Sequence, residues 1–260
     1  MTQRILTTLI LSPLAIGSIF YFPAWIFLLL ITFILLLGTL ELLRLLATHS
    51  VTRYWITFPF ALAFPWVWFY FPSLLVPCIL LAVIVILSWC VLGGQEISHA
   101  FHSVSGNLLV IFYLSLPLSV PSLLQPSRKW ELLLVLLVVW GGDGGAYFIG
   151  RTWGRHKVTP RISPKKSMEG YIAAVFFSIL VAVLFGGYLL PFKSVEFLVL
   201  MGALLGTSGI LGDLFESMLK RGAGVKDSSS LIPGHGGLLD RIDSLLFAFP
   251  TYYLLALLRL

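Results

Sequence analysis

The chain has 260 residues, of which 58% are hydrophobic and 11% charged, with a formal net charge of +6 and a mean hydropathy of +0.99. Its 17 basic and 11 acidic residues are too few to cover the surface of a soluble domain of this length, so lipid is the expected solvent and soluble classes are excluded. The two cysteines, Cys78 and Cys90, exclude a disulfide scaffold and a Cys-rich zinc site and read as small hydrophobes.

A spanning helix needs roughly 20 apolar residues, and nine segments qualify: near 5–22, 24–43, 54–72, 74–92, 106–125, 131–150, 171–191, 197–213 and 237–258. The expected fold is all-α, a polytopic membrane bundle of about nine transmembrane helices. No cleavage site follows the first segment, so it is expected to stay as an anchor. Pro13, Pro65 and Pro117 interrupt apolar runs, which helix bundles tolerate because neighbouring helices re-satisfy the backbone. No internal repeat is visible.

Two polar segments of real length, 151–170 and 214–236, separate the later spans, and an amphipathic piece lies at 95–105. Residues 1–125 therefore read as N-terminal transmembrane helices, and 126–260 as the region that carries chemistry. Loop 151–170 holds six basic residues. Placing it in the cytoplasm puts the N-terminus, the 44–53 turn, the 95–105 piece and the 214–236 loop inside as well. About 13 of the 17 basic residues then fall on the cytoplasmic side, as the positive-inside rule expects. The basic excess is thus a matter of topology, and no nucleic-acid partner is expected.

All five aspartates come after residue 142, and the first half carries only Glu41 and Glu96. Carboxylates in or beside spans are costly in hydrocarbon and face a bundle interior, a watery cavity or an ion. Asp143 lies within Gly141-Gly142-Asp143-Gly144-Gly145, where glycines allow a neighbouring helix or a ligand to approach closely; helix packing with a structural ion pair is the plainer reading. Next come Arg151, Arg155, His156 and Lys157, then Ser163-Pro164-Lys165-Lys166-Ser167. That composition suits a polyphosphate and equally suits a topogenic loop against anionic lipid heads.

The third stretch runs from Gly212 to Ser244. Asp213 and Glu216 are three residues apart, as are Asp240 and Asp243, so each pair shares a face if helical. Paired carboxylates beside glycines and basic side chains suit Mg²⁺ holding a nucleotide's phosphates. Salt bridges in a solvated loop would not require the Pro233-Gly234-His235-Gly236-Gly237 turn that precedes them. His235 reads as a phosphate contact or structural residue rather than a zinc ligand.

Ser217-x-x-Lys220-Arg221, then Lys226-Asp227, then His235-Gly236-Gly237-x-x-Asp240-Arg241-x-Asp243 resembles the signature of the phosphatidate cytidylyltransferases. The likeness extends to Asp143 with Ala146-Tyr147-Phe148 and to Ser163–Gly170, and the first ~125 residues share only their apolar spans. One departure is Ser167-Met168, where the family commonly carries Thr-Trp.

The resemblance implies a multi-pass enzyme of the bacterial inner membrane, its site facing the cytoplasm, which joins CTP to phosphatidate and releases pyrophosphate. It implies Mg²⁺, with K⁺ as a candidate second cation, and leaves a homodimer open. On that basis Asp213, Asp240, Asp243, Lys220, Arg221 and Lys226 are the expected catalytic residues. Metal would fall to Asp213, Asp240 and Asp243, with Asp143 and Glu216 behind them. Ser163, Lys165, Lys166, Ser217, Asp227, His235, Gly236, Gly237 and Arg241 are expected to bind substrate. A CTP-dependent polyprenol or phytol kinase and a cation transporter are the alternatives; an inverted repeat would have favoured the transporter.

Overall fold

In lipid every backbone polar group must be satisfied within its own segment, so long apolar runs become helices. The computed structural model describes residues 2–46, 55–92, 97–231 and 236–258, and helix accounts for most of them. In chain order the α-helices are α1 (Thr2–Tyr21), α2 (Ala24–Leu46), α3 (Thr57–Tyr70), α4 (Leu75–Leu92), α5 (Ile97–Leu109), α6 (Leu116–Leu124), α7 (Lys129–Thr152), α8 (Met168–Leu189), α9 (Val195–Gly222) and α10 (Leu239–Leu257). A π-helical turn, Val110–Ser115, joins α5 to α6 into one continuous passage.

A helix therefore occupies each of the nine expected places. Six stretches are long and apolar enough to cross a membrane: Ala24–Leu46, Pro72–Leu92, Ala100–Leu124, Lys129–Thr152, Met168–Leu189 and Val195–Gly222. The protein is a polytopic helical membrane protein. Its apolar exterior fits that solvent: Val76, Leu80 and Ile84 on α4, and Ile172, Phe176 and Leu184 on α8, are all exposed, as lipid-facing side chains are.

Two expected boundaries shift. The loop expected from 214 begins after Gly222, because α9 continues through Leu214–Arg221. Leu, Glu, Met and Lys favour helix there, and Lys220 and Arg221 complement the dipole of its last turn. The loop expected over 151–170 contracts to 153–167, since Ser167 caps α8 by accepting from the Gly170 N–H at 3.3 Å. The amphipathic piece at 95–105 belongs in part to α5, and residues 95–96 lie outside the described residues.

α7, α8, α9 and α10 pack successively against one another, and α10 also touches α2 and α6. Small residues set the α8–α9 spacing: a Cβ on Gly202 would lie 2.5 Å from the Ile179 Cα, so only glycine lets these backbones approach so closely. This four-helix wall carries Asp143, Asp213, Glu216, Lys220, Asp240 and Asp243.

Candidate active site

On α7, Gly142 and Gly145 lie against Ser178 and Phe177 of α8. The glycines around Asp143 thus seat one helix on another, and Asp143 lines a cavity between α7, α8, α9 and the 153–167 loop. The cavity encloses about 840 Å³, within the roughly 300–1,000 Å³ typical of small-molecule sites. Its wall carries Asp143 and Asp213 together with Arg151, Lys157, Lys165, Lys166 and Ser163. Basic groups outnumber acids there, which suits an anionic ligand.

The loop holds its basic residues in place through its own bonds. The Glu169 carboxylate accepts from the backbone N–H groups of Arg155 and His156, and His156 Nδ1 lies 2.6 Å from Glu169 Oε1. The Met168 N–H donates to the His156 carbonyl at 2.9 Å, and an antiparallel bridge pairs Lys157 with Ser167. Arg221, at the end of α9, donates to the Ile162 and Val225 carbonyls, tying the loop to the segment after α9. Lys166 Nζ reaches Asp213 Oδ2 at 2.5 Å across the cavity.

Asp213/Glu216 and Asp240/Asp243 are all helical. Gly212 brings α9 onto α10, since a Cβ there would overlap the Asp243 carbonyl. Asp143, Asp213 and Asp243 then act on one another electrostatically, and the Ser244 hydroxyl lies 3.5 Å from Asp143 Oδ1. Asp143, Asp213, Asp243 and Lys166 form one cluster of ionisable side chains contributed by α7, α9, α10 and the loop.

Glu216, Lys220 and Asp240 form a second, buried cluster. Lys220, 8% exposed, pairs with Glu216 one turn earlier and with Asp240 Oδ1 at 2.5 Å. Asp240 Oδ2 accepts from the Ser228 N–H, the Ser228 hydroxyl and the Gly237 N–H at 2.9, 2.9 and 2.7 Å. Gly236 has φ +80°, a backbone conformation that favours glycine. Ser217 is buried, whereas Lys226, Asp227 and Arg241 are exposed. His235 lies outside the described residues.

Two participants escaped the sequence reading. Glu41, on α2, joins the second cluster through Ser228 and Ser229, and Tyr171 lines the cavity beside Lys166. An isolated acid in an apolar span was the available signal for Glu41; Tyr171 gave none.

Among the described residues no three His, Cys, Asp or Glu side chains are arranged to hold a metal ion unaided. Mg²⁺ does not demand such a cage, since it binds through one or two carboxylates and completes its shell with water and substrate phosphate. The first cluster offers hard carboxylate oxygens without thiolates, and so fits a magnesium–phosphate complex.

Fold and cavity together define a multi-pass membrane protein with a polar, cation-rich pocket set among its spanning helices. A family model described as the cytidylyltransferase family matches residues 2–258, and the chain belongs to that family. It is 36% identical to a phosphatidate cytidylyltransferase of Pseudomonas aeruginosa over 96% of this chain and 94% of the relative. It is 45% identical to one of Haemophilus influenzae over 46% of this chain and 43% of that protein. It is also 38% identical to the uncharacterized protein YnbB of Escherichia coli over 60% of this chain and 54% of the relative.

Proposed function

We propose that the protein transfers a cytidylyl group from CTP to phosphatidate, forming CDP-diacylglycerol and pyrophosphate. The observation that carries this reading is the 840 Å³ cavity, where a basic loop faces intramembrane carboxylates in a chain of the cytidylyltransferase family. A phosphate oxygen of the lipid attacks the α-phosphorus of CTP, the bond from that phosphorus to the β-phosphate bridging oxygen breaks, and pyrophosphate leaves with the electron pair. The nucleophile is already an anion, so positioning and charge neutralisation matter more than a general base.

Arg151, Lys157, Lys165 and Lys166 line the cavity and would hold phosphates, with the Ser163 hydroxyl beside them. One or two of Asp143, Asp213 and Asp243 would hold Mg²⁺ together with substrate phosphate, and the ion when bound would supply positive charge to the transferring phosphoryl oxygens. Lys166 already bonds Asp213, so an arriving phosphate can compete for that ammonium and free the carboxylate. Glu216, Lys220 and Asp240 form the internal brace on which α9 and α10 meet. The phosphatidate acyl chains would stay in lipid while CTP enters from water, which suits a pocket at the edge of a helical bundle. The basic loop faces the cytoplasm of a bacterial inner membrane in this reading.

Purified protein in detergent, given CTP and Mg²⁺, is expected to release pyrophosphate only when phosphatidate is present. Equal release with diacylglycerol in place of phosphatidate would exclude the lipid phosphate as nucleophile.

A further inference from the structure

Glu41 is 3% exposed in a helix otherwise uncharged until Arg44, yet its partners lie almost 200 residues further along the chain. Its Oε1 accepts from the Ser229 hydroxyl at 2.6 Å and the Leu238 N–H at 2.9 Å. Its Oε2 accepts from the Ser228 hydroxyl at 3.0 Å and the Leu239 N–H at 2.9 Å. Two of these donors are backbone amides at the start of α10, where unpaired N–H groups and the helix dipole favour a negative charge. A cap normally comes from the adjacent residues; here it comes from another transmembrane helix.

The Ser228 hydroxyl, with one proton, lies within reach of both Glu41 Oε2 and Asp240 Oδ2, and the Ser228 N–H donates to Asp240 Oδ2. Glu41, Ser228, Asp240 and Lys220 thus form one continuous chain of polar contacts from α2 through α10 to α9. The contact leaves no room beside Gly237, where a Cβ would lie 2.5 Å from Glu41 Oε2. From this geometry we infer that Glu41 is a positioning residue: it anchors the start of α10 and thereby sets where Asp243 faces Asp143 and Asp213. The inference rests on the proposed function for its kinetic consequence and not for the anchoring itself.

Hydrogen–deuterium exchange on detergent-purified protein without nucleotide or metal tests the anchor, and Mg²⁺ titration of turnover with CTP and phosphatidate tests the positioning. Glu41→Gln places a donor against four donors. It is expected to speed exchange over 236–240 at least about tenfold with α7 and α8 unchanged, and to raise half-saturating Mg²⁺ at least about fivefold. High Mg²⁺ should then restore most turnover, which a loss of folded protein would not show. Ser229→Ala removes one of the four bonds to Glu41, along with the local acceptor of the Leu231 N–H, and should shift both readouts the same way by about threefold, which keeps the test decisive if Glu41→Gln does not fold. Unchanged exchange overturns the anchor; faster exchange with an unchanged Mg²⁺ requirement overturns the positioning. Faster exchange in a protein whose unsubstituted form does not turn over CTP and phosphatidate supports the anchor and overturns the function proposed above.

Discussion

Lys166 and Lys220 are both lysines bonded to aspartates, and their surroundings assign them different work. Lys220 is sealed between Glu216 and Asp240, so removing its charge leaves two buried carboxylates uncompensated, a loss that typically costs about 3–5 kcal/mol. Lys220→Ala is therefore expected to lower the thermal midpoint in detergent markedly. Lys166 stands at the cavity wall against the partly exposed Asp213, so Lys166→Ala should leave the midpoint nearly unchanged while raising the KM for CTP. Asp213→Asn and Asp243→Asn should each reduce turnover at least about 100-fold, the scale of losing an electrostatic group at a transition state. Membrane insertion, measured by fractionation, should persist in both. A variant of either aspartate that kept substantial turnover at saturating Mg²⁺ would remove that residue from the proposed Mg²⁺ site.

At the scale of elements, glycines and caps decide whether the clusters form. Gly212 admits the Asp243 carbonyl, and a methyl group there would push α10 away from α9. Gly212→Ala is expected to cost about 1–3 kcal/mol of stability and to reduce turnover further than its stability loss explains, as measured by melting and steady-state rates together. Ser167→Ala, which removes the α8 cap, should cost about 1 kcal/mol and loosen the loop that carries Lys157, Lys165 and Lys166. The spacing of Asp213 with Glu216 and of Asp240 with Asp243 gives each pair a shared face only if its segment is helical, and the loop expected from 214 leaves Glu216 outside the helix that α9 in fact forms. Spacing alone could not show that the members of each pair separate, Asp213 and Asp243 meeting Asp143 while Glu216 and Asp240 turn to Lys220. That partition depends on how α9 crosses α10, which the close packing at Gly212 and Gly209 helps to set. Glu41 is hidden for the same reason, since its partners at 228–239 lie almost 200 residues along the chain and leave no local pattern.

On the whole-molecule scale, hydropathy alone located the spans, because lipid imposes one rule on every backbone. What it left open was where α9 ends, since Leu214–Arg221 is polar enough to read as a loop and regular enough to remain helical. In the proposed topology the basic loop at 153–167 lies in the cytoplasm. A membrane-impermeant thiol reagent should label Lys165→Cys, with Cys78 and Cys90 replaced by serine, only after the cytoplasmic face has been opened. Labelling in intact cells would reverse the topology.

The central claim is the identity of the bond broken in CTP, and isotopes report it directly. The decisive measurement incubates the purified protein with phosphatidate, Mg²⁺ and CTP labelled in separate reactions at the α- or γ-phosphate, then extracts the lipid. The expected result is α-label in the lipid and γ-label released as pyrophosphate. γ-Label in the lipid would make the protein a kinase, and no lipid label from either nucleotide would contradict the account outright.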